Sequence, residues 1–248
     1  MPTEFMFKAL VGLLPVALFL FALVYMDSYK LVRLKTVLAV IVLGGLVAFA
    51  AMYVNSWLMN ALGMEYRSYT RYAGPVVEEI LKALVVVFLF RANRIGFLVD
   101  SAIMGFAVGT GFAMVENYYM LQSHGDAHLV VWVVRGFGTA IMHGGATAIF
   151  AMMSQALTER QMKINPLYYL PGLAVAIGLH SIFNHFLVAP VLQAAGTVLL
   201  LPPLLATVFQ RSAAALHDWL ELDFDADARL IAMITSGEFA ESKIGRFL

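Results

Sequence analysis

Four short stretches place ionisable or carboxamide side chains inside otherwise apolar sequence. GPVVEEILKALVVVFLF, residues 74–90, carries Glu78, Glu79 and Lys82. GFAMVENYYM carries Glu116 and Asn117, and RGFGTAIMHGGATAIFA carries Arg135 and His143. GLHSIFNH carries His180 and Asn184 four residues apart, with His185 alongside. A carboxylate with an imidazole can take a proton from water. An imidazole with an amide can stabilise an oxyanion. Two histidines with a glutamate can hold zinc and leave one position open to water. Each of these arrangements suits hydrolysis of an amide bond.

The first stretch contains a charge imbalance. Lys82 stands four residues after Glu78 and three after Glu79, so either can pair with it on a helix. One lysine cannot neutralise both carboxylates. Adjacent helical residues point about 100° apart, so the two glutamates face different surroundings and take different tasks. The spacing leaves open which of them activates water.

The rest of the chain is built for lipid. Of its 248 residues, 61% are hydrophobic and 13% charged, against about 45–50% and about 25% in a soluble domain. An ionisable group at the bilayer centre costs about 2.5–3.5 kcal/mol, while a Leu or Ile contributes only about 0.3–0.6. Such groups persist where they pair, meet water or do chemistry. The net charge is zero, so no basic stripe serves a nucleic-acid partner. The chain has no cysteine, which excludes disulfides, thiolate nucleophiles and Cys-based zinc sites. No HExxH, Walker A or Rossmann pattern occurs, nor any serine-nucleophile motif.

Apolar runs of about 20 residues are long enough to span a bilayer as helices. They predict an all-α, polytopic membrane bundle of about seven spans: 7–25, 38–58, 74–90, 97–121, 129–157, 167–188 and 191–209. The first is too long for a signal-peptide core and lacks an A-x-A-like site, so it reads as a retained helix. In this frame Glu78 and Glu79 fall in the first turn of the third span. Lys30, Arg33, Lys35, Arg91, Arg94, Arg160 and Lys163 fall in alternate loops, which become the cytoplasmic ones. The N-terminus is then outside and the C-terminus inside, and all four polar stretches lie in the outer half or at the midplane. Independent packing residues would scatter over both halves, so this convergence predicts one hydrated intramembrane site. After Arg211, acids mix with apolar residues at helical spacing. The expected organisation is therefore a transmembrane domain at 1–210 and a short cytoplasmic amphipathic helical tail at 211–248.

The order of these motifs resembles the PrsW family of intramembrane proteases: Glu78-Glu79-x-x-Lys82, Phe112-x-x-x-Glu116-Asn117, Arg135 followed by His143, and His180-x-x-x-Asn184. That family is similar in turn to the CAAX prenyl endopeptidase and bacteriocin-immunity superfamily, with Glu-Glu-x-x-x-Arg, Phe-x-x-x-His and His-x-x-x-Asn. Here Lys82 comes one residue earlier than that arginine, and Glu116 stands where the histidine would. The resemblance implies an endopeptidase of a prokaryotic cytoplasmic membrane acting on single-span, anti-sigma-factor-like proteins. It further implies Glu78 as the base, Glu79 or Glu116 as its helper and Lys82 paired with Glu79. His180 and Asn184 would hold the oxyanion, and His143 would stand in for the absent histidine. Asn117 and Arg135 would support them. Zinc, if used, would fall to His143, His180 and Glu116. Intramembrane Glu and His also suit an ion-coupled transporter, and Gly-rich helices suit a scaffold. Oligomeric state is not legible.

The charge bias generates a direct test, made simple by the absence of cysteine. A single cysteine introduced in the loop after Arg91 is expected to react with a membrane-impermeant maleimide only after permeabilisation. One placed beside His124 is expected to react in intact cells.

Overall fold

The computed structural model describes residues 2–27, 32–161 and 165–238. These residues are almost entirely helical, and no strand occurs among them. The helices are α1 (Pro2–Met26), α2 (Leu34–Leu62), α3 (Tyr66–Arg91), α4 (Leu98–Ser123), α5 (Leu129–Val133), α6 (Ala140–Gln161), α7 (Leu170–His185) and α8 (Pro190–Ser236). A π-helical segment, Val134–Thr139, joins α5 to α6, and a 3-10 turn, Pro166–Tyr169, leads into α7. The chain divides into a unit of residues 1–208 and a second of residues 209–248. The second unit contains the rest of α8, and the composition change at Arg211 is not a helix boundary.

Among the described residues, six helical stretches are long and apolar enough to cross a membrane: Thr3–Met26, Leu34–Leu62, Leu98–Ser123, Leu129–Glu159, Pro166–His185 and Pro190–Arg211. The protein is a multi-pass helical membrane protein. The stretch expected as the third span is missing from this set. Its helix α3 has 26 residues, enough at 1.5 Å per residue to cross, but Glu78, Glu79 and Lys82 lower its hydropathy.

Local chemistry sets the turns. Gly63 ends α2 in the left-handed region at φ 61°, and the N–H of Met64 bonds back to Met59 O at 3.2 Å. Asn93 does the same for α3 at φ 52°, with Arg94 N to Leu89 O at 2.9 Å. Both are helix-terminating motifs that satisfy otherwise orphaned carbonyls. At the other end of that loop, the Asp100 carboxylate accepts the N–H groups of Gly96 and Phe97 and so caps α4.

Helix α4 lies at the centre: 83% of its most apolar window is buried, against 28% of that of α1. It is apolar all round because neighbours surround it. Gly109 lets it approach α6 so closely that a Cβ there would strike the His143 carbonyl. Gly111 does the same against Ile41 of α2. Lys8 of α1 donates to Gly125 O at 2.9 Å, while Gln155 of α6 donates to Gly96 O at 2.7 Å. The N-terminus thus shares one end of the bundle with the α4–α5 loop, and the α3–α4 loop shares the opposite end with the end of α6.

The third helix corrects an expectation. It begins at Tyr66, so Pro75, Glu78 and Glu79 lie inside the helix and not in its first turn. Proline has no N–H, and inside a helix it leaves the carbonyl four residues earlier without a partner. That carbonyl is Arg71 O, and Ser181 of α7 donates its hydroxyl to it at 2.6 Å. Asn184, one turn further along α7, donates to Thr70 O at 2.8 Å. The gap opened by Pro75 therefore becomes the joint between α3 and α7.

This joint predicts a non-additive pair. Ser181→Ala leaves Arg71 O buried without a donor and should lower stability by about 1–3 kcal/mol. With Pro75→Ala the restored N–H fills the gap, so Ser181→Ala should then cost clearly less. Thermal unfolding in detergent of the four proteins measures the coupling.

Candidate active site

The polar residues meet around a buried ion pair in α3. Lys82 Nζ lies 2.6 Å from Glu79 Oε1, with the two side chains 0% and 1% exposed. Two further helices reach the same pair. His143 of α6 brings Nδ1 to 3.1 Å from Lys82 Nζ, and His180 of α7 brings Nδ1 to 2.7 Å from Glu79 Oε1. Phe112 of α4 lies beneath, its ring 5.0 Å from the ammonium and 5.1 Å from the His143 ring. A cation over an aromatic face is attracted to it. Phe112 is itself held against Ala48 and Ala51 of α2.

These contacts assign the imidazole protons. An ammonium has donors and no acceptor, so His143 Nδ1 is the accepting nitrogen. Its Nε2 then carries the proton and donates to Glu116 Oε2 at 3.0 Å. Glu79, paired with the ammonium, is an acceptor, so His180 donates from Nδ1. In the neutral ring the lone pair of His180 is then on Nε2, which faces Glu78 Oε2 at 3.8 Å. The two rings stand edge to face, 4.7 Å between centroids, with opposite tautomers.

Glu78 is the more open of the two adjacent glutamates, its side chain 17% exposed. Asn55 of α2 donates to its Oε1 at 2.9 Å, and Tyr69 donates its hydroxyl to Asn55 Oδ1 at 2.9 Å. Sequence reasoning missed both. Their only signal was a carboxamide within an apolar span and a tyrosine nine residues before the glutamate.

Glu116, 30% exposed, also forms an ion pair with Arg135 at 3.2 Å. Arg135 Nε donates to Asn117 Oδ1 at 2.8 Å, and Asn117 Nδ2 donates to Gly12 O of α1 at 2.8 Å. Arg135 Nη2 has no aligned hydrogen-bond partner among the described residues. The π-helical segment explains how one helix serves both ends of Glu116. Residues eight apart lie about 80° apart on a regular α-helix. The extra residue of a π turn brings Arg135 and His143 towards one face.

The nine residues given a role from the sequence thus fall on α3, α4, α7 and the α5–α6 stretch. Eight join one continuous network: Glu78, Glu79, Lys82, Glu116, Asn117, Arg135, His143 and His180. Asn184 is spent differently, with one amide N–H on the Thr70 carbonyl.

The same residues fit a divalent metal by donor type. Ligand atoms of Glu78, His143 and His180 lie within 4.8 Å of one another. Glu79 on His180 Nδ1 is the outer carboxylate that commonly orients a ligating histidine. Glu116 is one hydrogen bond outside this group, on His143. The family model described as PrsW family intramembrane metalloprotease matches residues 33–208. No curated protein and no solved structure matches the chain.

The buried pair makes a stability prediction. Lys82→Ala strips Glu79 of its cation and should cost about 3–5 kcal/mol. Adding Glu79→Gln removes the orphaned charge and should restore part of that loss in the same unfolding measurement.

Proposed function

Because this chain belongs to the PrsW family of intramembrane metalloproteases, it is a membrane-embedded peptidase, and we propose that it cuts single-span membrane proteins near the outer ends of their spans, with Glu78 as the base. The observation that carries this reading is the separation of Glu78 Oε2 from His180 Nε2. At 3.8 Å it is too long for a direct hydrogen bond, and such a gap between two polar atoms is one a bridging water fills. Both atoms are acceptors, so a water there donates both its protons and points its lone pair outward.

The roles follow from the contacts. Glu78 takes a proton as the water attacks the scissile carbonyl, and returns it to the leaving amine. Asn55 fixes the other carboxylate oxygen so that Oε2 faces the gap. Glu79 holds His180 in the tautomer that presents Nε2. Asn184 keeps a second amide N–H for the oxyanion, while Arg135 and Asn117 fix Glu116 beside His143. If zinc is bound, Glu78, His143 and His180 would hold it; Glu78 would then be a ligand and not the base, and the metal would supply Lewis-acid polarisation of carbonyl or water. The motif order resembles that of the wider CAAX endopeptidase superfamily, with Lys82 one residue earlier than its arginine and Glu116 in place of its histidine.

The loop charges support a position for this network in the outer half of the membrane or at its midplane, with the N-terminus outside, and the family resemblance supports the cytoplasmic membrane of a prokaryote as its setting. A substrate helix must unwind to expose the scissile carbonyl. Unwinding is least costly near a helix end, where water satisfies the freed groups. An anti-sigma-factor-like, single-span protein would therefore leave a membrane-bound stub with its cytoplasmic part intact.

Purified protein and Glu78→Gln are to be compared on a panel of single-span substrates. The variant should lose at least about a hundredfold in rate while keeping its melting temperature. Mass spectrometry of the products should place the cut at the outer end of the span. Cleavage by Glu78→Gln at the unmodified rate, or a cut at the cytoplasmic end, contradicts this reading.

A further inference from the structure

The metal-compatible group and the charge network share one atom. His143 is among the three residues whose ligand atoms converge, and a ligating imidazole nitrogen must offer a lone pair. The lone pair of His143 is on Nδ1, already capped by Lys82 Nζ at 3.1 Å. The other nitrogen, Nε2, carries a proton held by Glu116 at 3.0 Å. An ion at this seat would also stand beside a buried ammonium, a like charge with little water to screen it.

Lys82 has a second acceptor. It also donates to Glu79 Oε1 at 2.6 Å. The contact to His143 can therefore open without breaking the ion pair. His180 needs no such change, because Glu79 already holds its Nδ1 and leaves Nε2 free towards Glu78.

We infer that Lys82 is a built-in competitor for the metal seat: its ammonium and a divalent cation take the His143 Nδ1 lone pair in turn. The lysine thereby sets how tightly this site holds zinc. The inference takes its location from the proposed peptidase site, but it concerns an equilibrium that needs no substrate.

The test is zinc titration of chelator-stripped, full-length protein in detergent, followed by calorimetry. Lys82→Met should bind zinc at least about tenfold more tightly than the unmodified protein, the scale of one charge-assisted hydrogen bond. Since Lys82→Met alone leaves Glu79 unpaired, the same comparison is made between Glu79→Gln and Lys82→Met/Glu79→Gln, where no carboxylate is orphaned. The gain should appear there too, and His143→Ala should abolish it. Equal affinity with and without Lys82, no zinc binding by either lysine variant, or a gain that survives His143→Ala overturns the inference. Zinc binding as described in a protein that cleaves no substrate would instead count against the peptidase reading.

Discussion

The structure depends on one costly interaction, the Glu79–Lys82 pair buried in α3. Removing two charges from water is repaid only when geometry is good and the remaining donors and acceptors are also satisfied. Here three other helices supply what is missing. His143 comes from α6, His180 from α7 and the Phe112 ring from α4. The pair is thus a binding problem that α3 cannot solve alone, and its solution fixes where α4, α6 and α7 must stand. The close crossing at Gly109 and the joint at Arg71 O are what allow those helices to stand there.

The same pair sorts the chemistry. One glutamate is wholly consumed by structure, and its neighbour, about 100° round the helix, is left partly open and steered by Asn55. One histidine accepts from a cation and the other donates to an anion, so their free nitrogens differ. His143 turns a proton towards Glu116, and His180 turns a lone pair towards Glu78. Adjacent identical residues acquire different roles from their partners and not from their own nature.

Much of this was legible in the sequence because lipid makes polar residues expensive. Glu78, Glu79, Lys82, Glu116, Arg135, His143 and His180 stood out against apolar runs. The all-helical bundle followed from the same runs. What was not legible depended on partners distant in sequence. Glu78 and Glu79 read as first-turn residues because nothing local shows that the helix runs through Pro75 with Ser181 satisfying Arg71 O. Asn55 did not stand out because its partner is 23 positions away. The π segment around Arg135 has only the flanking Gly136 and Gly138 as a hint, and glycines serve many ends. Asn184 matched its motif, yet the structure ties one of its amide protons to Thr70.

The central claim is that a shared Glu79–Lys82 pair forces opposite proton positions on His143 and His180. Nitrogen-15 NMR of histidine-labelled protein in detergent reads this directly, because the two ring nitrogens of each tautomer differ in chemical shift. Assignment by His143→Gln and His180→Gln separates them from the other four histidines. The account predicts the Nε2–H tautomer for His143 and the Nδ1–H tautomer for His180. The same tautomer at both positions would contradict it.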